Sequence, residues 1–201
     1  MPLSTRFEEA LVLATRLHAA QMRKAGGNVP YVSHLLGVAS NVLDHGGDED
    51  EAIAALLHDA VEDQGGAPTL AEIHRRFGPR VADIVAGCTD TDEEPKPPWR
   101  ARKTQFLARL KTASPSICLV TFADKLHNVR SLLLEYRILG DALWGQFRGG
   151  RDGSLWYYRS IVEVFRERGA SPYIEELARA VAELEAVSSN AGAPPAGWET
   201  Y

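Results

Sequence analysis

The residues best suited to chemistry lie in Ala54–Asp63, read Ala-Ala-Leu-Leu-His-Asp-Ala-Val-Glu-Asp, where four ionisable side chains interrupt an apolar helical pattern. Ala55, Leu56, Ala60 and Val61 belong in a core. His58, Asp59, Glu62 and Asp63 therefore lie beside buried surface, where an unpaired charge costs several kcal/mol, roughly. A metal cation is the obvious compensation. On one continuous helix, His58 and Asp59 stand about 100° apart and lean towards one point, with Glu62 and Asp63 on the same face roughly 6 Å further along. The first pair suits a metal, and the second a water one turn away. The plain alternative for this stretch is a helix end with a surface acidic cluster.

Two further sites join this one. His34 sits near the start of a helix expected from Val32 to about His45. Asp124, His127 and Asn128 share one stripe of an otherwise apolar helix expected from Ser116 to about Tyr136. His34, His58, Asp59 and Asp124 thus give two imidazoles and two carboxylates from three helices. Such a mixed nitrogen and oxygen set suits Mn²⁺, Fe²⁺, Co²⁺ or Zn²⁺ with positions left for water and substrate, and no thiolate cluster points to a structural zinc site.

The elements that must position these residues are all helical. Thr5-x-x-Glu8 reads as a capping box opening a helix that runs to about residue 24, and its basic end, Arg23-Lys24, would suit a helix C-terminus. Asp48-x-x-Glu51 opens the central helix, Thr69-x-x-Glu72 a short one ending at Phe77, and another runs from Val81 to about Thr89. Asp90–Pro98 is an acidic, proline-rich loop that would serve as a flap. A basic helix spans Trp99–Leu110, Ser114-Pro115 starts the long helix, and Asp141–Ser154 reads as irregular because of its glycines. Leu155–Arg168 and Ser171 to about Val187 are the last two helices. The expected fold class is all-α, one compact helical domain over residues 1–187, with 188–201 a flexible tail.

With 201 residues, 45% of them apolar, the chain suits one domain with a real core. A net charge of −5 argues against a general nucleic-acid surface, so any polyanionic ligand must meet a local basic patch. Cys88 and Cys118 show neither CxxC spacing nor a disulfide pattern, and the N-terminus is too polar for a signal peptide. A reduced, cytoplasmic protein with no membrane contact is expected. Oligomeric state is not legible.

The order His34, His58-Asp59, Asp124 resembles the H…HD…D pattern of the HD phosphohydrolase superfamily. Gln21-Met22-Arg23-Lys24, Pro30-Tyr31-Val32-Ser33-His34, Ala55–Asp63, Phe77-Gly78-Pro79-Arg80-Val81 and Ala123–Arg130 resemble its alarmone-hydrolase branch, over about residues 7–135. The resemblance implies a single HD domain and Mn²⁺-dependent removal of pyrophosphate from the 3′ position of (p)ppGpp, leaving GDP or GTP. It implies that His34, His58, Asp59 and Asp124 are metal ligands and that Glu62 and Asp63 orient or deprotonate the attacking water. Arg23 and Lys24 would reach the nucleotide, and Asn128 would sit near its ribose or phosphates. Lys103 and Arg109 read first as solvated surface charge, and His127 as either a pocket or a core residue. Ala25 stands where the family usually has an acidic residue, and Leu35 where it has proline. The competing readings are a phosphatase acting on ppApp, the 2′-phosphate of NADPH or a deoxynucleoside monophosphate, and a non-catalytic antitoxin or nucleotide sensor.

Overall fold

The computed structural model describes residues 2–24, 27–91, 95–169 and 171–189, and among them every regular element is helical apart from one isolated bridge. The helices are α1 (Thr5–Leu17), α2 (Val32–Asp44), α3 (Glu49–Leu57), α4 (Ala60–Asp63), α5 (Ala67–Phe77) and α6 (Pro79–Cys88). After them come α7 (Trp99–Leu110), α8 (Pro115–Leu139), a 3-10 segment (Gly140–Gln146), α9 (Gly150–Arg168) and α10 (Pro172–Ser189). The all-α expectation holds.

Two apolar cores share one spine. The first is built from α1, α2, α3, α5 and α6, and α3 is its centre, with Ala52 to Leu57 all fully buried. The second is built from α7, the 3-10 segment, α9 and α10 around residues such as Phe106, Trp144, Ile161 and Leu177. Helix α8 serves both. Its Val120 and Ala123 pack in the first core and its Phe122, Leu126 and Val129 in the second, so it is apolar on opposite faces. Asp124 lies on that spine between the two cores. No helix among the described residues is long and apolar enough to cross a membrane.

Several boundaries differ from those the sequence suggests. Helix α1 stops at Leu17, because the chain turns at His18 and comes back on itself: Met22 and Pro30 form an antiparallel bridge, Arg23 N–H donates to Val29 O (3.0 Å) and Tyr31 N–H to Gln21 O (2.9 Å). Arg23 and Lys24 are therefore on this returning arm, not at a helix end. The cap of α1 is Ser4, which accepts from Arg6 N, in place of Thr5. The Asp48–Glu51 box forms in both directions, at 2.8 and 3.0 Å. That at Thr69 does not form. Its hydroxyl donates to Gln64 O, while Gly66, at φ 64°, begins α5.

The glycine-rich stretch is more regular than its composition suggests. α9 begins at Gly150 because Gly149 and Gly153 form a flat seat for the Trp99 indole, and a Cβ at Gly149 would come within 2.8 Å of that ring. α10 extends through Ser188 and Ser189, past the boundary expected at Val187, and the rest of the expected tail lies outside the described residues. Residues 92–94 of the expected flap lie outside them too.

Candidate metal centre and cleft

The central helix is broken where its chemistry begins. α3 ends at Leu57, Asp59 adopts φ −95° and ψ −4°, and α4 starts at Ala60. His58 Nδ1 lies 2.8 Å from the Ala55 carbonyl, an acceptor of the last turn of α3, so the side chain binds the backbone where the helix stops. This corrects the expectation of one continuous helix. Asp63 N–H still donates to Asp59 O (3.0 Å), which keeps Glu62 and Asp63 one turn on from the His-Asp pair.

That break fixes a tautomer. A carbonyl only accepts, so His58 Nδ1 carries a proton and Nε2 is the nitrogen left to offer a lone pair to an ion. Nε2 lies 3.1 Å from Asp59 Oδ2 and 3.8 Å from Asp124 Oδ1. It is nonetheless buried without a hydrogen-bond partner among the described residues. His34, 1% exposed on the first turn of α2, places its Nε2 3.6 Å from Asp59 Oδ2 and 3.4 Å from Asp124 Oδ1. The ligand atoms of His34, His58 and Asp59 all lie within 4.8 Å of one another.

These spacings fit a bound cation. Ligands about 2.1 Å from one ion stand roughly 3.0 Å apart at a right angle and roughly 3.4 Å apart at the tetrahedral angle. Nε2 of His58, buried Asp124 and half-buried Asp59 supply the chemistry for it. Charge points the same way. Burial opposes charge on His58, yet Asp59 and Asp124 outweigh it and hold the imidazole well above its ordinary value, drawing to Nε2 a proton that a bound cation would displace. Burial likewise opposes charge on both carboxylates, but His58 chiefly for Asp59, and Lys125 with the two histidines for Asp124, hold them well below theirs. A centre this negative takes a positive ion in its middle.

Partners around the centre orient it. Tyr31 O–H donates to Asp59 Oδ2 (2.5 Å), and burial first, then Asp59, raises its phenol so far that it stays a donor. His127 Nδ1 lies 3.0 Å from His34 Nδ1. Lys125 Nζ is 2.5 Å from Asp124 Oδ2, and Asn128 donates to Asp124 Oδ1. Asn128 Oδ1 in turn accepts from Arg23 (3.1 Å).

Asp59 and Asp124 open onto a cleft of about 840 Å³ between the two cores. Glu62, Asp63, Arg23, Lys24 and Asn128 all line it, as the sequence leads one to expect. Glu62 is clamped by Lys96 (3.2 Å) and faces Arg102 (3.6 Å), whereas Asp63 accepts from Gln21 (2.8 Å). Lys103 lines the cleft and pairs with Asp90 at 3.0 Å, so it is not solvated surface charge. Arg109 is structural, donating to the carbonyls of Thr89 and Asp90. Cys88 also lines the cleft, but burial pushes its thiol up to about 12, which leaves no thiolate nucleophile.

Sequence reasoning passed over Tyr31, Lys96, Arg102 and Lys125, and left His127 undecided. A signal for His127 existed in Gly37, a mid-helix glycine whose absent side chain makes room for that ring. Lys125 follows Asp124 directly but reads as an ordinary helix cation until burial is known.

A helical fold whose buried two-histidine, two-aspartate centre faces a cation-lined cleft defines a class. Residues 10–139 match the HD domain model, and the chain belongs to the HD-domain family, whose members bind a divalent metal. Within that family it is 39% identical over 172 residues to the mouse guanosine-3′,5′-bis(diphosphate) 3′-pyrophosphohydrolase MESH1, covering 80% of this chain and 93% of that one. The human protein of the same name is 39% identical over 126 residues, 62% of this chain and 68% of that one. Among solved structures, a metazoan orthologue of SpoT described as hydrolysing ppGpp superposes with a TM-score of 0.74 at 27% identity, covering 96% and 98% of the two chains. A Listeria monocytogenes protein superposes with a TM-score of 0.67 at 31% identity, over 78% and 99%.

Proposed function

We propose that this chain is a metal-dependent hydrolase that removes the 3′-pyrophosphate from guanosine alarmones, converting ppGpp and water to GDP and pyrophosphate, and pppGpp to GTP. The observation that carries the reading is the buried His34, His58, Asp59 and Asp124 centre opening onto a cleft that presents Glu62 and Asp63 beside Arg23 and Lys24. The activity for which the mouse and human relatives are named supports the same substrate. We take residues 1–187 as the unit responsible and Mn²⁺ as its ion.

In this reading His34, His58, Asp59 and Asp124 hold the ion. When bound, it lowers the pKa of a water and stabilises charge on the attacked phosphoryl group. Asp63 and Glu62 orient the attacking water and accept its proton at a carboxylate oxygen. Arg23 and Lys24 meet the phosphates, the local basic patch that a chain of net charge −5 must supply for so anionic a substrate. Asn128, bonded to both Arg23 and Asp124, ties the arm that binds nucleotide to the centre that cleaves it.

The test is product analysis by anion-exchange chromatography after incubating metal-stripped protein plus Mn²⁺ with ppGpp, pppGpp, ppApp, NADPH and deoxynucleoside monophosphates, with Asp59→Ala as control. GDP and pyrophosphate from ppGpp, absent with the variant, are expected. Phosphate released only from NADPH or monophosphates would replace the substrate, and no turnover would leave a binding protein.

A further inference from the structure

Of the two carboxylates that follow the His-Asp pair, Glu62 is held by Lys96 and faces Arg102, but Asp63 is exposed at the end of a four-residue helix. Its side chain has one hydrogen bond among the described residues, and the donor is Gln21 Nε2 at 2.8 Å. An exposed carboxylate with a single tether owes its direction to that tether. We propose that Gln21 is a positioning residue that aims Asp63 at the attacking water. The inference rests on the reading of Asp63 given under Proposed function.

The hydrogen-bond logic around Gln21 permits only one arrangement. An ionised carboxylate accepts and never donates, so the amide nitrogen of Gln21 must be the atom that faces Asp63. Its oxygen then faces His18 Nδ1 at 2.7 Å and Gln64 Nε2 at 2.6 Å. Both of these must donate, which places the proton of His18 on Nδ1. His18 is itself fixed, 2% exposed and stacked on Tyr31 with ring centroids 5.1 Å apart. The amide oxygen is therefore clamped by two donors, which turns the nitrogen outward, and Asp63 receives one of its two N–H groups.

The main chain of Gln21 adds a second connection. Its carbonyl accepts from Tyr31 N at 2.9 Å, at the base of the returning arm that carries Arg23 and Lys24. One residue thus fixes both the arm that meets phosphates, through its backbone, and the candidate base, through its side chain. The register between them is set locally, with no contact to the metal ligands required.

The test is a double-mutant cycle in the metal-loaded full chain, using steady-state hydrolysis of whichever nucleotide the wild type turns over. Gln21→Glu is the primary variant: it keeps the length and the oxygen that His18 and Gln64 need, and sets a carboxylate in place of the donor that faces Asp63, so that the tether becomes a repulsion. Gln21→Ala is the second. Each should lower kcat roughly 10- to 100-fold, the scale of a misplaced catalytic group, with KM changed by less than about twofold. In an Asp63→Ala background neither should lower kcat further, because there is nothing left to aim. Wild-type kcat in both variants, a loss confined to KM, or losses that multiply with that of Asp63→Ala would overturn the role of Gln21 while leaving the hydrolase reading intact. A wild-type chain inactive on every nucleotide would overturn both.

Discussion

His127 Nδ1 stands 3.0 Å from His34 Nδ1, joining two imidazoles from helices α2 and α8 by a bond that only one of them can donate. Burial, then His34 and Arg23 nearby, lowers His127 to about 4, so its ring is neutral near pH 7. When His34 donates, its Nε2 lone pair faces the metal centre, as a ligand requires. A partner that holds a metal-binding imidazole through its other ring nitrogen is worth roughly 10- to 100-fold in metal affinity. His127→Ala is expected to weaken Mn²⁺ binding by that factor in a calorimetric titration while helical content is kept. Unchanged affinity would mean that the ring contributes only packing.

Gly37 gives the same contact from the other side. Substituting alanine inside an ordinary helix stabilises it by about 1 kcal/mol. Here the added Cβ would lie 2.2 Å from His127 Cδ2 and 2.3 Å from Nε2, so the ring must move. The sign should therefore reverse. Gly37→Ala is expected to cost about 1–3 kcal/mol in chemical denaturation, as overpacking does, and to weaken Mn²⁺ binding as His127→Ala does. A stabilised variant with intact metal affinity would contradict the packing described.

Metal binding and folding are linked through Nε2 of His58, which has no hydrogen-bond partner among the described residues, and the carboxylates of buried Asp124 and half-buried Asp59. An ion bound only by the native state adds about 2.7 kcal/mol at 100 times its Kd. For a chain of this length that corresponds to a rise in Tm of roughly 5–10 °C. Thermal melts of metal-stripped protein with and without Mn²⁺ should show it. With Asp59→Ala the rise should shrink to near zero, and an equal rise in that variant would place the ion elsewhere.

The part of the candidate site carried by the central helix was legible because its spacing is local. His58, Asp59, Glu62 and Asp63 lie within six consecutive positions, and the bond from Asp63 N to Asp59 O preserves the one-turn offset that periodicity implies. The break between α3 and α4 was not legible, since it depends on a side chain reaching the Ala55 carbonyl. The end of α1 was misjudged for a similar reason: apolar spacing continues past Leu17, but the bridge from Met22 to Pro30 takes over the backbone bonds. Glycines at 149, 150 and 153 suggested a loop, and tertiary packing of Trp99 turned part of it into helix. Contacts made across helices, such as His127 on Gly37 or Lys96 on Glu62, leave little trace in a single sequence.

The wall of the cleft provides the last prediction. Arg102 is 5% exposed and Asp90 7%, and the guanidinium is bonded to the carboxylate and also faces Glu62. Asp90 Oδ1 has no hydrogen-bond partner among the described residues, so this aspartate depends on Arg102 and Lys103 for its charge balance. Removing one partner of a buried pair strands the other charge, at a cost of roughly 3–5 kcal/mol. Lys103 remains within 3.0 Å of Asp90, which places Arg102→Ala at the lower end, about 3 kcal/mol by urea denaturation. Replacing both charges, as in Arg102→Met with Asp90→Leu, should recover part of that loss, because no stranded carboxylate is left behind, while Lys103 gives up its partner. If the double variant is as unstable as Arg102→Ala alone, the loss comes from the packing of the arginine stem, not from the uncompensated charge.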